Sequence, residues 1–169
     1  WDALMLTMAA GRRVTNRDCR FMVTRSEMKG LQGWFLNRLG CFPIDQGRPS
    51  LVSLRYAVDL LIEGQQVVIF PEGKINRKGE PLELQQGIVR FAHLASKKGV
   101  EIKVVPVGLS YSEVRPKPFG RAAICFHEPL TFGEFEKDCA LSFNLKLTKY
   151  MNEAEAIALK AVGRNQFQP

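Results

Sequence analysis

The sequence is poor in metal-ligating side chains. Its only histidines are His93 and His127, and its four cysteines, Cys19, Cys41, Cys125 and Cys139, form no Cys-x-x-Cys pair, so the spacing gives no zinc pattern. Scattered thiols in an otherwise ordinary composition read as reduced, partly buried residues of a cytosol-facing protein and not as a secreted disulfide framework. Long apolar runs are missing as well. The strongest, residues 67–70 and 104–107, fall far short of the roughly 20 residues that cross a bilayer, and no signal peptide is visible at Trp1. The expectation is that no segment of this sequence spans a membrane. Repeats, low-complexity tracts and linkers are absent, which leaves a single domain over residues 1–169.

What is present fits a folded domain with a bias in its charge. Apolar residues make up 46% and charged residues 24% of the chain, enough for one sizeable core. Lys and Arg number 24 against 17 Asp and Glu, a net +7, which favours phosphates, nucleic acid or an anionic membrane surface as partners. Arg12, Arg13, Arg17, Arg20, Arg25 and Lys29 concentrate this charge near the start. They read either as a solvated basic face or as a surface for lipid headgroups or the phosphates of a CoA donor.

Strand and helix signals alternate along the chain. Helices are expected over 1–10, from Ser26 to Leu39, from Ser50 to Ile62, from Gly87 to Gly99 and over 141–162; strands are expected over 20–24, 41–44, 66–70, 102–109 and 122–126. Trp34 and Phe35 are assigned to core packing, with contact to a membrane interface as the other reading. The runs QVVIF and VVPVGL lack polar alternation, as buried parallel strands do. The fold class is therefore α/β, a mostly parallel central sheet flanked by helices.

Phe70-Pro71-Glu72-Gly73 is the most informative stretch, because a strand ends directly in a rigid Pro, an acid and a permissive Gly. Such a junction aims a carboxylate at the carboxyl edge of the sheet, where open α/β folds bind ligands. Alone it also reads as a strand-ending turn with a solvated Glu. Two further blocks accompany it: Gly40-Cys41-Phe42-Pro43-Ile44-Asp45-Gln46-Gly47-Arg48 upstream and Val105-Pro106-Val107-Gly108-Leu109 downstream.

In that order and spacing the blocks resemble the glycerolipid acyltransferases, the 1-acylglycerol-3-phosphate or lysophospholipid acyltransferase family, and the resemblance covers nearly the whole chain. The first block of that family is a His, four residues and an Asp. Trp1-Asp2-Ala3-Leu4-Met5 looks like its tail, with Asp2 as the acid and the His four residues before Trp1. Neither His93 nor His127 has an Asp five residues on. The sequence is therefore expected to continue upstream; a chain lacking that His would be inactive or impaired. Without the resemblance, Asp2 reads as a helix N-terminal acid facing the dipole.

The resemblance implies transfer of a fatty acyl group from acyl-CoA or acyl carrier protein to the hydroxyl of a lysophospholipid, with 1-acylglycerol 3-phosphate as the expected acceptor. It implies no metal or other cofactor, and membrane association at the cytoplasmic face. The catalytic candidates are Asp2 and Glu72. Gly73 would let backbone approach the acceptor, and Arg25, Arg48, Lys74 and Arg77 would attract its phosphate through paired, charge-assisted hydrogen bonds. Two places depart from the family pattern: Gln46 stands where an Arg usually follows the Asp, and Lys74-Ile75-Asn76 replaces a Thr-Arg-Ser. The other readings are a non-catalytic lysophospholipid-binding module and, on charge alone, a nucleic-acid binder; with no recognition motif, nucleic acid is not expected as a partner.

Overall fold

The computed structural model describes residues 1–45, 50–73, 87–114, 116–131 and 140–164. The chain opens with α1 (Asp2–Ala10) and a short second helix, α2 (Arg12–Thr15), which the polar, basic run after Gly11 did not signal. Strand β1 (Cys19–Thr24) leads through a single 3₁₀ turn into α3 (Gly30–Arg38), so this helix begins four residues beyond the expected Ser26 start. β2 (Cys41–Ile44), α4 (Leu51–Ile62) and β3 (Gln66–Val68) follow. The Ser50 hydroxyl accepts the Ser53 amide at 3.1 Å, the N-cap bond expected of that residue type. β3 is half-buried and ends at Val68, two residues short of the expected strand.

The three strands form a parallel sheet in the order β2-β1-β3. Phe21 lies opposite Cys41 on one side and Val68 on the other. Alternation at period two divides their side chains between two layers. Cys19, Phe21, Val23, Cys41 and Val68 pack against Leu6 of α1 and Leu36 of α3; Met22, Phe42, Val67 and Ile69 pack against Val58 and Leu60 of α4 and Phe91 and Ala95 of α5 (Gly87–Ser96). Both faces of these strands are covered, which accounts for their nearly continuous apolar character.

The second half of the chain departs from the parallel plan. The expected strand over 102–109 divides into β4 (Lys103–Val104) and β5 (Val107–Tyr111) around Pro106, which has no N–H to donate to a ladder. β5 pairs antiparallel with β6 (Ala122–Phe126), and β4 pairs antiparallel with β7 (Leu130–Thr131). The reading of VVPVGL as a parallel strand is thus corrected at β5. The link from Tyr111 to Ala122 carries Pro116 and Pro118 and no helix among its described residues, so it makes a return and not a crossover.

The long helix α6 (Ala140–Ala161) covers the β5–β6 pair. Gly108 permits that contact: a Cβ there would stand 2.2 Å from the backbone carbon of Ala154. Phe143 and Leu147 of α6 close a third apolar cluster over Leu130. Trp34 and Phe35 correct a second expectation. They are 60% and 49% exposed and sit beside Leu31, which is 88% exposed, while α3 turns Gly33 and Leu36 inward. No helix among the described residues is long and apolar enough to cross a membrane.

Candidate active site

Three chain segments leave the parallel sheet at its carboxyl edge, and each carries a residue singled out in the sequence. Arg25 follows β1 directly, Asp45 follows β2, and Pro71-Glu72-Gly73 follows β3. Helix α1 brings Asp2 to the same edge. Gln66, at the start of β3, donates from its side-chain amide to the Ala10 carbonyl at 2.8 Å, which pins the end of α1 to the amino edge of the sheet. The helix therefore runs back along β1, and its first residue emerges at the opposite edge.

At that edge Asp2 meets Tyr111, the last residue of β5. The phenol donates to Asp2 Oδ1 at 2.6 Å across 109 positions of sequence. Burial and the adjacent carboxylate both push the phenol far above its ordinary range, so Tyr111 is a neutral donor. Its backbone carbonyl accepts from Arg164 Nη1 at 3.1 Å, which ties the end of β5 to the segment after α6.

Glu72 stands in the same corner, half-buried after the buried Pro71. Desolvation raises its carboxyl above the usual range; its own amide N–H opposes the shift, and the charges of Glu155 and Asp2 add to it. The structure thus brings Asp2 and Glu72 into one electrostatic environment. Desolvation also raises Glu155, and Arg164 opposes it. Glu155 keeps much of its surface in water, whereas Glu72 is half-buried. Gly73 has φ +64°, a left-handed conformation suited to glycine, and its amide donates to the Phe70 carbonyl at 3.1 Å, closing the turn that presents Glu72.

Arg25 lies on the other side of β1. Its Nε donates to Asp45 Oδ1 at 2.7 Å and its Nη2 to Asp45 Oδ2 at 3.2 Å, a two-pronged and exposed ion pair. Arg25 lines an open groove of about 520 Å³ together with Arg20, Met28, Cys41, Phe42, Val52 and Tyr56. Arg20 shares the sheet face of Met22 and donates to the Tyr56 hydroxyl at 3.0 Å. Cys41 is buried, and its thiol is pushed up by desolvation, which makes it a poor nucleophile. The amino-terminal basic cluster is divided: Arg12 pairs with Asp18, Arg20 with Tyr56 and Arg25 with Asp45. Arg48, Lys74 and Arg77, the other expected phosphate-binding residues, lie outside the described residues, as does Cys139.

Sequence reasoning missed Tyr111, Glu155 and Arg164. Tyr111 could have been noticed as the last residue of an apolar strand heading for the same edge as FPEG. Glu155 and Arg164 reach the corner only because α6 crosses β5 over Gly108, and local sequence holds no sign of that crossing.

Residues 1–110 match the family described as Acyltransferase. The chain belongs to the acyltransferase family. A curated relative, the 1-acyl-sn-glycerol-3-phosphate acyltransferase of Bacillus subtilis (strain 168), is 37% identical over 62 residues. That alignment spans 37% of this chain and 30% of the relative. The matched portion of the acyltransferase chain runs from Trp1 through the FPEG turn to Ser110, one residue short of the phenol that holds Asp2.

Proposed function

We propose that this acyltransferase, one domain over residues 1–169, moves a fatty acyl group from an acyl-CoA or acyl carrier protein thioester to the free hydroxyl of 1-acylglycerol 3-phosphate. The observation that supports the reading is that the half-buried Glu72 carboxyl at the carboxyl edge lies within the field of the Asp2 charge, in a chain of this family. The name of the Bacillus subtilis relative supports the choice of acceptor.

An alcohol is a poor nucleophile at neutral pH, so the reaction needs a base on its hydroxyl proton. In this reading the base is an imidazole five residues before Asp2, upstream of Trp1, and the Asp2 carboxylate fixes its tautomer and stabilises its charged form. The hydroxyl oxygen attacks the thioester carbonyl as its proton passes to the imidazole. Collapse of the tetrahedral intermediate breaks the C–S bond, and the proton returns to the departing thiol. Glu72 orients the acceptor's glycerol hydroxyl, and the left-handed turn at Gly73 lets backbone approach it. Arg25, Arg48, Lys74 and Arg77 attract the phosphate; Arg25 does so by exchanging Asp45 for a phosphate oxygen. A chain without the upstream imidazole is impaired in transfer.

The acceptor lives in a membrane, and the exposed Leu31, Trp34 and Phe35 offer an apolar strip, with Arg38 stacked 4.6 Å over the Trp34 ring. Aromatic rings flanked by cations suit the headgroup region of an anionic cytoplasmic leaflet.

Thiol release from radiolabelled acyl-CoA in the presence of lysophosphatidate, measured on the full-length protein, tests the reading. Transfer that depends on Glu72 is expected; a Glu72→Ala rate equal to the wild type would remove the site. Saturable binding to lysophospholipid vesicles with no turnover would favour the non-catalytic module instead.

A further inference from the structure

We propose that Tyr111 is a positioning residue for acyl transfer, holding the Asp2 carboxylate in the orientation from which it supports the base. The proposal rests on the role given to Asp2 above.

Asp2 is the first residue of α1 and is exposed, so by itself its carboxylate would turn freely in water. Among the described residues, the one side chain that bonds to it is the Tyr111 phenol, at 2.6 Å on Oδ1. A short O–H···O⁻ bond of this kind is charge-assisted and directional, and it leaves Oδ2 for a second donor. The phenol is well placed for the task. It is half-buried at the end of a paired strand, Tyr111 lies opposite Ala122 in that ladder, and its carbonyl is held by Arg164. A neutral donor also restrains the carboxylate without cancelling the charge that an imidazolium would need. An acid required only by the helix dipole would gain little from such a partner.

The test compares Tyr111→Phe, Asp2→Asn and the double variant in the full-length protein, with acyl-CoA and lysophosphatidate as substrates. Tyr111→Phe removes one oxygen and keeps the ring. The expected result is a fall in kcat of about 10- to 100-fold, with KM for both substrates within about twofold of the wild type and an unchanged melting temperature. In the Asp2→Asn background the same substitution should have little further effect, because its partner is already altered. A wild-type kcat in Tyr111→Phe, or a loss that adds in full to that of Asp2→Asn, would overturn the proposal. Wild-type transfer by Asp2→Asn would instead remove the role of Asp2 itself. Should Tyr111→Phe fail to fold, 4-methoxyphenylalanine at position 111 keeps the ring and its oxygen but cannot donate; a wild-type kcat there would overturn the proposal equally.

Discussion

Two places at one sheet edge, on either side of β1, have opposite electrostatic character. On the β3 and β5 side, a neutral phenol holds Asp2, the charges of Asp2 and Glu155 act on Glu72, and water is sufficiently excluded to raise the Glu72 carboxyl. On the β2 side, Arg25 meets Asp45 in the open, and the pair raises the guanidinium while holding the carboxyl down, each through their mutual hydrogen bonds first. Polar groups in the first place face partners imposed by distant elements. Those in the second satisfy each other locally and remain exchangeable. In the proposed reaction the two would divide the labour: the acidic corner would support chemistry, and the groove would capture the phosphate charge.

Asp2→Asn should separate the two most sharply. In the full-length protein, single-turnover transfer should fall by about 10²- to 10⁴-fold, with little effect on lysophosphatidate binding measured directly by calorimetry. A loss confined to binding would abolish the distinction between corner and groove. Gly108→Val should act next, through structure. Its side chain would meet the Ala154 backbone and force α6 away from β5, at a cost of about 1–3 kcal/mol in urea unfolding, with a fall in transfer as Glu155 and Arg164 shift. Unchanged unfolding would mean that α6 does not fix the corner. Arg25→Ala should raise KM for lysophosphatidate about tenfold, leave KM for an uncharged monoacylglycerol as it was and leave the melting temperature unmoved, because its bond to Asp45 lies in open water. Equal effects on both acceptors would take phosphate recognition away from the groove.

Much of the first half of the fold was legible in sequence because local signals and tertiary packing agree there. Ser50 caps α4, Gly64 with φ +77° follows its end, and the apolar runs of β1 and β2 are covered on both faces. The second half was less legible because its structure depends on contacts between distant residues. Whether Val107-Gly108-Leu109 pairs parallel or antiparallel is decided by how the chain returns after Tyr111, which an apolar pentapeptide does not encode. The site divides in the same way. That Pro71-Glu72-Gly73 leaves the carboxyl edge was readable from the apolar run before it, although β3 itself ends at Val68, and Asp2 was singled out by the motif it resembles. Trp34 and Phe35 were misplaced because hydrophobicity alone does not distinguish a core face from an exposed one, and α3 presents the small Gly33 to the neighbouring backbone.

The smallest effect expected is also the one that probes the corner without any substrate. Glu72 is raised chiefly by desolvation, so its ionised form is disfavoured in the folded chain relative to the unfolded one. Below the usual glutamate range both states hold the proton and the group exerts no penalty. As pH rises through that range the unfolded chain releases its proton first, and stability is lost until the folded carboxyl ionises as well. Glu72→Gln keeps the shape and removes the titration. It should therefore unfold at a higher urea concentration than the wild type at pH 7, with the gap closing as pH is lowered below about 4.5, the ordinary glutamate value. The same variant should lose transfer activity, so a residue that weakens the fold would be retained for what it does at the edge of the sheet. A gap independent of pH would mean that Glu72 is solvated like any surface acid, and the corner would then differ from the groove in sign of charge alone.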